Sequence, residues 1–422
     1  MPRTHVNAYR RGCAPERSSM SPSSSNPLVA RLQGFGTTIF SEMTALALEH
    51  EAVNLGQGFP DQDPPEEVVT AAHAALDAGH HQYAPGPGVP VLRQAIAAHQ
   101  ARFYGLDYDP DDEITVTFGA TEAMAATILA LCERDDEVVV LEPTYDAYTA
   151  SIAMAGAVER RVPLTPPGLD DLGAGWRLDV DRVAAAIGHR TRLLIVNSPH
   201  NPTGTLLTDA ELEGLAALCV EHDLIAVTDE VYEHLVFEGA HRPLASLPGM
   251  RDRTISISSA SKTFSATGWK VGWACAAPEL IAAVRTTKQF LSFSGGTPLQ
   301  HAVAHALALP DAIYHELADV HRQRRDRLAA GLTDAGVAVM QPAATYFLVA
   351  DVSPWGYPDG ESFCRRAPAE VGVAAVPVSA FVEDPASVKD LVRFAFCKRD
   401  HVMEEGVERL LRLQVVGATE GR

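Results

Sequence analysis

The 422-residue sequence predicts an α/β fold, and three observations carry that prediction. Between about residues 65 and 300, short runs rich in Val, Ile and Thr alternate with segments of helical character. The runs are apolar at nearly every position, as strands buried on both faces of a sheet must be. Polar residues suited to chemistry stand directly after them. With right-handed crossovers, such a pattern builds a large, doubly wound, mostly parallel sheet.

In chain order, residues 1–26 stand apart. They hold Arg3, Arg10, Arg11 and Arg17, one acid (Glu16) and the run SSMSPSSSNP. They lack the apolar core of a secretory signal, and read as a disordered tail, or as translation assigned upstream of a start at Met20. Helices are expected at 66–78, 89–104, 121–132, 209–222 and 278–290. Strands are expected at 114–118 (ITVTF), 137–141 (EVVVL), 192–197 (RLLIVN), 224–229 (LIAVTD), 254–258 (TISIS) and 271–275 (VGWAC). These elements make a large α/β domain over 66–300. One long helical stretch, roughly 299–336, follows; its basic segment HRQRRDR (321–327) reads as a solvated helix face. Residues 338–413 mix strands and helices and end in LVRFAF (391–396). With 27–65 joined to 301–422, they form a smaller α+β domain.

Composition narrows the partners. Lys+Arg 34 against Asp+Glu 54 gives a net charge of −20, which disfavours nucleic acid and anionic membrane surfaces, since both bind by neutralisation with Lys and Arg. No apolar run reaches the roughly 18 residues of a membrane span. The six cysteines form no C-x-x-C pair, so the sequence predicts no metal site, and their use fits a reducing, cytoplasmic compartment.

In an open parallel sheet, ligands bind outside the carboxyl ends of the strands. The groups found there are Gly119-Ala120-Thr121-Glu122, Glu142-Pro143-Thr144-Tyr145, Asn197 to Gly204 (NSPHNPTG), Asp229-Glu230-Val231-Tyr232 and Ser259-Ala260-Ser261-Lys262. A lysine desolvated at this edge loses basicity and becomes a nucleophile towards carbonyls, although a motif-free lysine is more often a surface group. Asp229 ends an apolar strand, where a carboxylate needs a cationic partner or else caps the next segment. A helix opening after Gly119 offers free N–H groups, and with Ser259 and Lys270 they suit one phosphate.

Taken together these pieces have a familiar order. The strings VNLGQGFPD (53–61), QYAPGPG (82–88), TFGATEA (117–123), EPTYDAY (142–148), NSPHNPTG (197–204), TDEVYEHLVF (228–237), SSASKTFSATGWKVGW (258–273) and VRFAFCKRD (392–400) resemble the fold-type I pyridoxal 5′-phosphate enzymes, specifically class I/II aminotransferases. The resemblance spans about residues 31–413. It implies that Lys262 forms the Schiff base with the cofactor and shuttles the proton, and that Asp229 partners the pyridine nitrogen. It implies that Tyr232 and Asn201 donate to the phenolic oxygen and that Tyr145 stacks on the ring. Ala120 and Thr121 then give backbone N–H groups to the phosphate beside Ser259 and Lys270. Many relatives carry Arg where Lys270 stands, and a lysine keeps the charge but loses the bidentate fork. Tyr83 resembles the residue that reaches the neighbouring subunit's cofactor, which implies a homodimer with shared active sites. Arg393 resembles the clamp for the substrate α-carboxylate, assisted by Asn197, Asn201 and the Gly58 backbone, and Phe40 occupies the place of an aromatic pocket residue.

The implied reaction is ping-pong transfer of an amino group between an amino acid and a 2-oxo acid. Within the family the strings are similar to the kynurenine/glutamine/methionine aminotransferase subgroup, and there to the N-succinyl-diaminopimelate aminotransferases, which use glutamate and 2-oxoglutarate. A carbon–sulfur β-lyase keeps the same cofactor and stays open. A DNA-binding regulator on this fold needs a helix-turn-helix for which the short tail has no room, and a nicotinamide enzyme needs a G-x-G-x-x-G that does not follow the first strand.

Overall fold

The structure, a computed structural model, describes residues 27–168 and 171–413; the predicted tail, 1–26, lies outside the described residues. Seven strands form the large sheet: β1 (Ile114–Phe118), β2 (Glu137–Glu142), β3 (Val158–Pro163), β4 (Thr191–Asn197), β5 (Ile225–Asp229), β6 (Thr254–Ser259) and β7 (Val271–Cys275). Their order is β1-β7-β6-β5-β4-β2-β3. All neighbours run parallel except β7, which is antiparallel to both β1 and β6. The link from β6 to β7, residues 260–270, is shorter than the dozen or so residues a parallel crossover needs. Helices cover both faces and bury Val138, Val139, Leu193, Leu194, Ile255 and Ile257 completely.

Two features of this sheet escape the apolar-run criterion. Strand β3, VERRVP, lies at the sheet edge and alternates exposed with half-buried positions, so it carries Glu159, Arg160 and Arg161. Helix Asp146–Ala155, which leads into it, is short and interrupted by polar residues. The long helix expected over 299–336 is two helices, Thr297–Leu307 and Asp311–Asp334. Pro310 separates them, because proline offers no N–H and disfavours helical geometry in the residue before it.

The basic segment 321–327 is a solvated face only in part: Arg322, Gln323, Asp326 and Arg327 are exposed. His321 and Arg325, one turn apart, are buried. Arg325 donates to Glu238 and to the Pro342 carbonyl, and Arg324 to Asp400 and Gln62. The segment therefore ties its helix to the elements around it.

A second, four-stranded antiparallel sheet contains Phe347–Asp351 and Leu391–Ala395 side by side. Its core joins Phe347, Phe363, Phe394 and Phe396 to Met43, Val53 and Leu55 from the start of the chain. Val53–Asn54 also pairs in parallel with Val373–Ala374. Val231, Tyr232 and Leu235, from the loop after β5, enter the same core. The loop that leaves the large sheet is thus clamped by the small one, and a cavity lies between them. Among the described residues no helix is long and apolar enough to cross a membrane.

Candidate active site

A cavity of about 350 Å³ opens beyond the carboxyl ends of β1, β4, β5 and β6, and Arg393 and Phe347 of the small sheet close its other side. Thirteen of the fourteen residues singled out from the sequence line it: Phe40, Gly58, Ala120, Thr121, Tyr145, Asn197, Asn201, Asp229, Tyr232, Ser259, Lys262, Lys270 and Arg393. The fourteenth, Tyr83, lies outside it, 84% exposed, with its ring edge-on to Phe293 at 5.7 Å.

Lys262 sits in the short helix Ala260–Thr263 that follows β6 directly. Its Nζ lies 3.4 Å from the Gly58 carbonyl oxygen, which also accepts from the Tyr346 hydroxyl at 2.5 Å. Desolvation pulls the amine down to about 8, with Lys270 and Arg393 pushing the same way and Asp229 opposing. The free-amine fraction near neutral pH is therefore larger than that of an ordinary lysine.

Asp229 ends β5 and is buried. The Tyr148 hydroxyl donates to its Oδ2 at 2.5 Å, and the Val231 N–H approaches Oδ1 at 3.4 Å. Burial pushes this carboxyl above its usual range, and the Tyr148 bond pulls it back. Tyr148 stands in the EPTYDAY string but carries no role there; only the fold, which turns helix Asp146–Ala155 over the end of β5, reveals its function as the support of Asp229.

An anion cradle lies beside this pair. Helix Gly119–Leu131 opens into the cavity with the N–H groups of its first turn free of intrahelical partners. Gly119 adopts φ +77°, and a Cβ there would stand 3.2 Å from the Lys270 Nζ. A Cβ at Gly272 of β7 would lie 2.6 Å from the Gly119 carbonyl carbon and 2.7 Å from the Ala120 nitrogen. Two glycines thus let a strand and a helix start meet under one ammonium group. Ser259, Ser261 and Thr267 add hydroxyls to the same cavity.

Arg393 is almost fully buried on its strand. It donates to Asn201 Oδ1 at 3.0 Å and to the Gly56 carbonyl at 2.8 Å, while its Nε has no partner. Its guanidinium lies 4.0 Å from the Phe347 ring centroid, 5.1 Å from that of Phe40 and 5.5 Å from that of Phe381. Burial lowers even this group to about 10. Asn197 lines the cavity with its amide committed to the backbone: it donates to the Asp229 and Pro199 carbonyls and accepts from the Asn201 N–H. It holds the ends of β4 and β5 and the NPTG turn in register. A CH₂ at Gly58 would come within 2.5 Å of the Phe347 ring, so that position also needs glycine.

A cavity with a nucleophilic lysine, a buried carboxylate, an anion cradle and a fork for a carboxylate invites comparison with known proteins. The model of the family Aminotransferase class I and II matches residues 50–410. The chain belongs to the class I and II aminotransferases. It is 53% identical over 392 residues, 90% of this chain and 97% of the other, to a probable N-succinyldiaminopimelate aminotransferase of Mycobacterium tuberculosis. It is 40% identical over 391 residues, 92% of this chain and 99% of the other, to the methionine aminotransferase of Escherichia coli K12. The solved structure of N-succinyldiaminopimelate aminotransferase from Mycobacterium tuberculosis is similar with a TM-score of 0.89 at 52% identity, covering 92% of this chain and 100% of that one.

Aminotransferases of this class share fold type I and use pyridoxal 5′-phosphate. The residues present fit that group. The cradle under Lys270 suits its phosphate, and Asp229, which among the described residues forms no ion pair, suits a protonated ring nitrogen. Lys262 suits its aldehyde.

Proposed function

We propose that this aminotransferase moves an amino group between N-succinyl-LL-diaminopimelate and the glutamate/2-oxoglutarate pair, by two half-reactions at one site. The observation that carries this substrate is the 53% identity, over 97% of its length, to the mycobacterial protein described by that activity. The cavity wall supports it: Phe40 and Phe59 offer apolar surface for a long methylene chain and Gln57 an amide partner.

Pyridoxal phosphate, when bound, supplies the electron sink that makes the substrate α-carbon acidic. The residues of the chain do the rest. Lys262, lowered in basicity by burial, would hold the aldehyde of that group and would carry the proton taken from the substrate α-carbon. Asp229, supported by Tyr148, holds negative charge where the ring nitrogen keeps its proton. Lys270, Ser259 and the N–H groups of Ala120 and Thr121 hold the phosphate. Tyr145 covers the ring face, and Tyr232 and Asn201 donate to the ring oxygen. Arg393 grips the substrate α-carboxylate with its planar fork, with Gly58 and Asn197 alongside. Tyr83, exposed on its own chain, reaches the cofactor phosphate of a second copy in a cytoplasmic homodimer. We place the large domain at 66–300 and the small one at 27–65 with 301–422.

The test is a donor screen of the purified holoenzyme against 2-oxoglutarate, with glutamate release as readout. N-succinyl-LL-diaminopimelate should exceed methionine, kynurenine and glutamine in kcat/KM by at least about tenfold. A preference for one of the other three reassigns the substrate, and pyruvate release from cystathionine without any 2-oxo acid reassigns the reaction to β-elimination.

A further inference from the structure

Behind the cavity, on the far side of the loop that carries Asp229 and Tyr232, three side chains converge. His99 comes from helix Pro90–Tyr104, and Glu233 and His234 follow Tyr232. One donor atom from each lies within 4.8 Å of the others, and among the described residues this is the one such group of three. His99 and Glu233 are buried and His234 is half-buried.

The polar accounting of this cluster does not close. His99 Nε2 and His234 Nε2 stand 2.7 Å apart. A single proton can bridge them, which leaves His99 Nδ1 buried without a partner in either tautomer. Glu233 accepts from the Ser258 hydroxyl through Oε1, while Oε2 is buried and unpartnered. The Tyr104 hydroxyl, against the same carboxylate, makes no well-formed bond. Each such atom carries a desolvation cost if nothing meets it. Arg102 spends its own charge on Asp311. His241 is directed to Glu230 at 3.1 Å, which leaves Glu233 free for another cation.

We propose that His99, Glu233 and His234 bind a divalent transition-metal ion of the zinc class, with water as fourth ligand. Two imidazoles and one carboxylate are a common donor set for such an ion. With metal–nitrogen bonds of about 2.0–2.1 Å in tetrahedral geometry, the two Nε2 atoms stand about 3.3 Å apart, so the rings separate by roughly half an ångström. The ion then staples helix Pro90–Tyr104 to the loop that carries Asp229 and Tyr232. Cysteine spacing gives no hint of this site, because its ligands are one histidine on a helix and an adjacent Glu–His pair well over a hundred residues later.

The site takes no part in the proposed transamination, so its test is separate. Holoenzyme, saturated with pyridoxal phosphate, is stripped of metal with a chelator. It is then titrated with Zn²⁺ against a chromophoric competitor, and in parallel with Co²⁺ while visible absorbance is followed. The wild type should take up one equivalent per chain, show tetrahedral Co²⁺ bands and gain thermal stability with Zn²⁺. His99→Gln and His234→Gln should each weaken uptake by about tenfold or more and lose the Co²⁺ bands. If either variant fails to retain cofactor, Glu233→Gln takes its place. Uptake of less than about a tenth of an equivalent by the wild type would overturn the proposal and leave a water or shared proton in the cluster. Full-affinity uptake by the variants would also overturn it, placing the metal on the cofactor or on surface histidines.

Discussion

Replacing Tyr148 with Phe removes one hydroxyl from the site and leaves its packing in place. That hydroxyl is 2.5 Å from Asp229 Oδ2, and both residues are buried. The other protein donor to the carboxylate, the Val231 N–H, is 3.4 Å away and weak. A buried hydrogen bond to an ionised group contributes about 1.5–3 kcal/mol, which corresponds to roughly a 10- to 100-fold change in rate. Burial already pushes Asp229 up, and loss of the Tyr148 proton pushes it further the same way. The neutral acid then gains population as pH falls, so the defect is largest at the acidic end of the profile and narrows as pH rises. In Tyr148→Phe, kcat/KM should fall by about 10- to 100-fold with that pH dependence, measured by glutamate release across pH. Titration of the cofactor-free protein should give weaker pyridoxal phosphate binding. Wild-type kinetics and an unshifted pH profile, at equal cofactor content, would refute the idea that Tyr148 keeps Asp229 charged.

Lys262→Ala should eliminate turnover and the borohydride-fixed cofactor label seen by mass spectrometry; in the wild-type apoprotein, the rate of cofactor capture should rise with pH through about 8, where the amine loses its proton. Arg393→Ala should raise KM for every amino donor by at least about a hundredfold, since a bidentate carboxylate contact is lost, and an unchanged KM would remove Arg393 from the substrate. Gly272→Ala should displace the start of helix Gly119–Leu131, costing about 1–3 kcal/mol of stability and weakening cofactor affinity; thermal denaturation and cofactor titration that match wild type would show that the close approach has room to spare.

The parts of this molecule readable from its sequence share one physical property. Interior strands such as Thr191–Asn197 and Thr254–Ser259 are buried over most of their length, so they take large apolar residues or small hydroxyls such as Ser256 and Ser258, and the residues that follow them must face the ligand edge. That logic locates Asp229, Lys262 and the Gly119 helix start together. It fails for Val158–Pro163, because an edge strand tolerates Arg160 and Arg161, and for Tyr148, whose partner is 81 positions away. It also fails for His321 and Arg325, where a basic run looks solvated until the fold supplies Glu238 and the Pro342 carbonyl to receive it. Local pattern reports burial; pairing across the chain is set by topology and has no local signature.

The charge of the cavity follows from its task and runs against the charge of the chain. The protein carries −20 overall, yet three cations, Lys262, Lys270 and Arg393, face the cavity with Asp229 as the one carboxylate among its lining residues. Asp229 offsets only part of the surplus; desolvation chiefly, and after it Lys270 and Arg393, lowers the basicity of Lys262. A phosphate at the cradle and a carboxylate at Arg393 supply the missing anions. Burying cations is costly alone and tolerable beside such anions. A lower basicity raises the free-amine fraction of Lys262 near neutral pH above that of an ordinary lysine, and with it the supply of nucleophile.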